Sequence, residues 1–171
     1  REFPELRFTA SIHGDERWLS VPLIFDCLDV HFYLDADERW TNRTKFNEFI
    51  SNGIYEKDDW FKEFSDRCRK THNSVMPMLF QRQQQKLANF SAWSQTMGMP
   101  LTTSESWAAW YYFDHKNLDW DWLLSWAEMT VEGAINHKMW GWTPHNYVQP
   151  QFENWKNVNW HRKLNNKFLN S

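Results

Sequence analysis

Four strand-like runs separated by helical stretches constrain this chain more than any other feature. Leu6–Ile12 reads as a short strand closed by His13-Gly14-Asp15, with a brief helical stretch from about Asp15 to Phe25. Cys27–Leu34 reads as a second strand, and its mostly apolar run suits a sheet covered on both faces. A long helical excursion follows. It opens with a small helix over 42–52 and Gly53 as its C-cap. A second helix begins at Asp58-Asp59 and puts Trp60, Phe61, Phe64 and Cys68 on one face. Pro77 is expected to interrupt that helix, because proline has no amide hydrogen and clashes with the preceding turn. Leu87, Phe90, Trp93 and Met97 resume the stripe until Gly98 and Pro100, and Leu101–Ser104 forms the third strand. Asp119 is placed as the cap of a helix running to about His137, and Lys138–Thr143 is the fourth strand. A last helix, about Gln151 to Phe168, should turn Phe152, Trp155, Leu164 and Phe168 inward.

Such alternation predicts an α/β fold of right-handed strand–helix–strand units around a parallel sheet. At 171 residues the chain is one domain's length. Four units fall short of a closed (β/α)8 barrel, which takes about 250 residues. The count is that of half a barrel.

Composition removes several classes of function. The formal charge is −3 and the 19 basic residues are dispersed, so no nucleic-acid surface is expected. No run reaches the roughly 20 apolar residues of a membrane span, so no membrane partner is expected either. The start, REFPELRFTAS, has no signal-peptide pattern and no initiating Met, so Arg1 is not expected to be the native start. Cys27 and Cys68 form no CxxC pair and read as small buried hydrophobes, which points to a reducing, cytoplasmic setting. The 13 Trp, 13 Phe and 5 Tyr are either core or stacking platforms, and burial preference favours core for any one of them.

The stretch LTTSESWAAWYYF, 101–113, is the chemically suggestive one. It sets a single acid, Glu105, at the end of a strand, followed by Trp107, Trp110, Tyr111 and Tyr112. The C-terminal ends of parallel strands are where barrel active sites are built. Neighbouring rings would disfavour the charged form and tune its basicity. The plainer reading is a carboxylate that caps the next helix or meets an arginine. His13, His31 and His145 also fall at or near C-terminal strand ends, each of them either a structural or a site histidine. Asp15 and Glu16, beside His13, read as helix initiators. No HxH or HExxH spacing supports a metal, so neither metal nor cofactor is expected.

Taken together, S-E-S-W at 104–107, L-D-W-D-W at 118–122 and W-G-W-T at 140–143 resemble the last strands of a cellulase-like glycoside hydrolase. P-Q-F at 150–152 and N-W-H-R at 159–162 are similar to that family's closing helix. The family has a (β/α)8 barrel of the clan A retaining type, and the resemblance makes this chain its C-terminal half, strands five to eight. It implies Glu105 as the nucleophile on strand seven. Trp140 would floor the cleavage subsite on strand eight, offering its ring to a sugar. His31 or Tyr33, on strand six, would hydrogen-bond the nucleophile, and the D-V-H-F-Y register leaves open which. Trp107, His145 and His13 join them as candidate sugar contacts.

One part of that pattern has no counterpart here. Retaining glycosidases use two carboxylates about 5–5.5 Å apart. The family's acid/base sits in an Asn-Glu pair on strand four, and nothing before Leu6 leaves room for that strand. Asn47-Glu48 falls in the helical excursion and reads as surface. The expectation is therefore hydrolysis of β-linked glycans by an enzyme whose acid/base lies on a missing N-terminal half. The expected partners are an oligosaccharide or glycoside substrate, and that half or a second copy. The 171 residues alone would be inactive. The alternative is a non-catalytic carbohydrate-binding protein with an aromatic cleft; a Trp-rich interaction domain is the third reading.

Overall fold

The computed structural model describes residues 4–34, 37–51, 58–106, 112, 114–144 and 152–171. Four strands, β1 (Thr9–His13), β2 (Cys27–His31), β3 (Leu101–Ser106) and β4 (Gly141–Pro144), form one sheet in the order β1-β2-β3-β4. Every neighbouring pair is parallel. This is the parallel, helix-alternating α/β architecture expected from the sequence.

Among the described residues five α-helices connect and flank the strands: α1 (Glu38–Thr44), α2 (Phe46–Ser51), α3 (Asp58–Met97), α4 (Asp121–Asn136) and α5 (Val158–Leu169). The stretch after β1 is only a 3-10 turn, Glu16–Ser20, capped by Asp15, whose side chain accepts from the Arg17 amide. The small helix expected over 42–52 is two helices. Lys45 takes a left-handed conformation (φ 56°) between them, and the expected Gly53 cap lies outside the described residues.

Pro77 does not break α3, contrary to the sequence expectation. The helix runs unbroken for 40 residues. Proline forfeits one backbone bond, but Cys68, Thr71, Val75 and Leu79 keep a buried stripe continuous across it, and tertiary burial outweighs the local cost. The helix ends at Gly98, whose φ of +66° is the left-handed conformation that glycine adopts without a side-chain clash. Asp119 does serve α4, accepting from the Asp121 amide at 2.9 Å, although the cap residue itself is Trp120. The C-terminal helix begins later than expected, at Val158, after a 3-10 turn at Glu153–Lys156. Trp155, expected to point inward, is half exposed there.

Side-chain alternation gives the sheet two unlike faces. Ile12, Leu28, Val30 and Leu101 are buried against the helices. The opposite face carries Thr9, Ser11 and His13 from β1 in register with Cys27, Asp29 and His31 from β2. Most of the described rings lie in the core or pack against it. Trp40, Phe64, Phe90, Tyr112 and Trp126 are each at most 1% exposed, and Phe49 stacks on Phe64 with centroids 4.0 Å apart. Cys68 is buried and Cys27 half-buried, both as free thiols. No helix among the described residues is long and apolar enough to cross a membrane.

Candidate active site

Parallel register brings the ends of β1, β2 and β3 to one rim. His13 is the register partner of His31, and their rings meet edge-on at 6.0 Å. The ladder between β2 and β3 pairs Leu28 with Leu101 and Asp29 with Thr102, and resumes as an isolated bridge between Phe32 and Ser106. Between Thr103 and Ser106 the register of β3 shifts against β4. Irregularities of this kind re-aim side chains near functional sites. Here the re-aimed residue is Glu105.

Its backbone is held on both sides. Before it, the amide and hydroxyl of Ser104 donate to Asp29, at 2.7 and 2.6 Å. After it, the hydroxyl of Ser106 accepts from the Phe32 amide at 3.0 Å and donates to the Glu105 carbonyl at 2.6 Å. The Glu105 carboxylate stays 44% exposed, open to a ligand. The hydroxyl of Tyr33 donates to its Oε2 at 2.5 Å. Nδ1 of His31 lies 3.7 Å from the same oxygen, an ion-pair distance rather than a hydrogen bond. Both strand-six candidates therefore face Glu105, with the direct bond belonging to Tyr33.

Behind this trio stands Asp29, only 6% exposed, which the sequence reading passed over. It also accepts from the hydroxyl of Ser11 at 3.0 Å and lies 3.4 Å from Nε2 of His31. The available signal was an acid within an otherwise apolar strand, two residues before a histidine and hence on its face. Gly14, just past β1, donates its amide to the His31 carbonyl at 2.9 Å. A cleft of about 510 Å³ adjoins Tyr33 and is lined by Arg17, Asp37, Arg82, Lys86 and Trp126 among others. Within it Asp37 pairs with Arg82 at 2.9 Å, and burial lowers the pKa of Lys86.

Trp140 is a correction. It lies at the opposite end of the sheet from Glu105. Its amide donates to the carbonyl of Leu101, the first residue of β3, and its ring is 72% exposed beside Arg7, Phe8 and Cys27. The cause is the end of α4. Lys138 adopts a left-handed conformation (φ 52°), the chain turns there, and the strand starts at Gly141 rather than at Lys138. A lysine in that conformation left no sequence cue, since glycine usually takes it. Trp142 is partly buried against the helical side. Trp107 and His145 lie outside the described residues. Among the described residues, no group of three His, Cys, Asp or Glu could hold a metal ion.

The family described as sugar-binding cellulase-like matches residues 1–169. The chain belongs to this cellulase-like family. A crystal structure of a proposed glycoside hydrolase from Parabacteroides distasonis superposes with a TM-score of 0.73 at 23% identity, a likeness that speaks to the fold. The match covers 95% of this chain and 43% of that one, so the cellulase-like chain spans less than half the length of this neighbour. A comparison with curated proteins finds no match.

Proposed function

We propose that this chain is the C-terminal half of a retaining glycoside hydrolase acting on β-linked glycans, with Glu105 as the nucleophile. The observation that carries the reading is the Tyr33–Glu105 contact at a C-terminal strand rim. A half-exposed carboxylate stands there on a pinned backbone, with a phenol on one oxygen. In the first step a Glu105 oxygen attacks the anomeric carbon while an acid protonates the departing glycosidic oxygen. The products are a glycosyl ester and the released alcohol. In the second step the same group, now a base, takes a proton from water. The resulting attack on the anomeric carbon frees the sugar and restores the Glu105 carboxylate. Tyr33 donates to the carboxylate throughout and orients the attacking oxygen.

Asp29 cannot be the second carboxylate, because three donors already occupy it and it is buried. The acid/base is assigned to the part of the protein that corresponds to the rest of the longer neighbour. That part would also pair with the open edges of β1 and β4. Glu105→Gln in the full-length protein tests the proposal: β-glycoside hydrolysis should fall at least about a thousandfold with sugar binding largely kept. Undiminished hydrolysis would remove Glu105 from the role.

The family description favours a second reading, a protein that holds sugar without cleaving it. Saturable binding with no turnover in the full-length protein, and no acid facing Glu105, would select that reading.

A further inference from the structure

Asp29 is an acid set into a buried strand, and the hydrogen bonds around it run in one direction. The Ser104 amide donates to one carboxylate oxygen, and the Ser104 and Ser11 hydroxyls donate to the other. Three converging donors are the surroundings of an ionised carboxylate, which can only accept. Ser11 has one hydroxyl proton, and it is spent on Asp29. The contact of 2.8 Å between Ser11 Oγ and His31 Nε2 must then be donated by the histidine.

We propose that Asp29, acting through Ser11, is a positioning residue that keeps a proton of His31 on Nε2 and leaves Nδ1 as a lone pair toward Glu105. The role rests on reading Glu105 as the reacting carboxylate. With the Nε2–H form, Oε2 of Glu105 receives the Tyr33 hydroxyl and no proton from His31. The opposite tautomer would turn an Nδ1–H toward the same oxygen, 3.7 Å away, and compete with the Tyr33 hydroxyl that orients it. Asp29 thus serves both parts of the rim, anchoring the backbone before Glu105 and setting the proton on the ring beside it.

Asp29→Asn tests the direction of the relay. Its Oδ1 still accepts from the Ser104 amide, so its NH2 must sit where both hydroxyls converge. That amide can only donate, so Ser11 must accept from it and donate its own proton to His31 Nε2. The His31 proton is driven to Nδ1. Long-range 1H–15N spectra of the full-length protein, with the His31 signal assigned by its loss in His31→Gln, should show the Nε2–H form in the wild type. They should show the Nδ1–H form in Asp29→Asn. Ser11→Ala leaves the Asp29–Ser104 bonds intact and brings no donor to Nε2, which still lies 3.4 Å from the Asp29 carboxylate, so the Nε2–H form should persist there. For the hydrolytic reaction, Asp29→Asn should lower kcat about 100-fold or more and change KM little, as wrong-tautomer variants of other hydrolases do. An unchanged Nε2–H signal in Asp29→Asn overturns the proposal, even if that variant is less stable. Tautomers that switch as described, in a protein that hydrolyses no glycoside, support the relay and count only against the glycosidase reading.

Discussion

The phenolic oxygen of Tyr33 lies 2.5 Å from Oε2 of Glu105, although 72 residues separate them in sequence. Parallel pairing of β2 with β3 makes this possible, since it delivers both strand ends to one rim. Tyr33→Phe removes the donor and leaves the ring. A hydrogen bond to a charged group contributes roughly 1.5–3 kcal/mol, so kcat/KM for a β-glycoside should fall about 10- to 100-fold in the full-length protein. Steady-state kinetics check this, and unchanged kcat/KM would show that the contact does no catalytic service.

Gly14 supports the rim from the other side. A Cβ at this position would lie 2.9 Å from the His31 carbonyl oxygen and 3.1 Å from the end of the Lys86 side chain. The lysine can move, but the carbonyl belongs to the strand. Gly14→Ala should destabilise the protein by about 1–3 kcal/mol, the usual cost of overpacking. Urea unfolding measures it, and a midpoint equal to that of the wild type would mean the rim yields freely.

Acid stability should depend on His72. Its ring is partly buried, 5.8 Å from Trp122, and burial lowers its pKa. The folded state therefore favours neutral imidazole, whereas the unfolded chain titrates near the ordinary value of about 6.5. This contribution is fully present above that value and is lost as pH falls through the lower folded pKa. His137, lowered by the same cause, adds to the effect. Urea midpoints from pH 8 to 5 should decline less steeply in His72→Gln than in the wild type. Parallel declines would exclude His72 as a source.

How far the sequence discloses this molecule differs from residue to residue. Strand–helix alternation is written in hydrophobic periodicity, and the parallel sheet follows from it. Glu105, His31 and His13 were legible as rim residues because each sits near the end of a recognisable strand, whereas Tyr33 was a candidate only through the family resemblance. Trp140 was misplaced because the strand starts only at Gly141, after a lysine in a left-handed conformation. Pro77 misled because local propensity yields to a stripe buried on both sides of it. Asp29 escaped notice because its partners, Ser11 and Ser104, come from two other strands, and only strand register brings them together.

The isolated 171 residues should not persist as a monomer. Among the described residues the strands β1 and β4 end the sheet on either side, and unpaired edges recruit other chains. Phe8, Ile24 and Trp140 add exposed apolar surface, with Ile24 at 89%. Sedimentation velocity should show association that rises with concentration. A compact monomer at high concentration would contradict this.

The most direct test of Glu105 as nucleophile is covalent trapping. A 2-deoxy-2-fluoro β-glycoside with a good leaving group slows release of the glycosyl-enzyme more than its formation. Digestion and mass spectrometry of the treated full-length protein should then find one added sugar, as an ester on the peptide containing Glu105. A sugar ester on another carboxylate, or full hydrolysis of the reagent with retained configuration and no adduct on Glu105 at any time, would contradict the account.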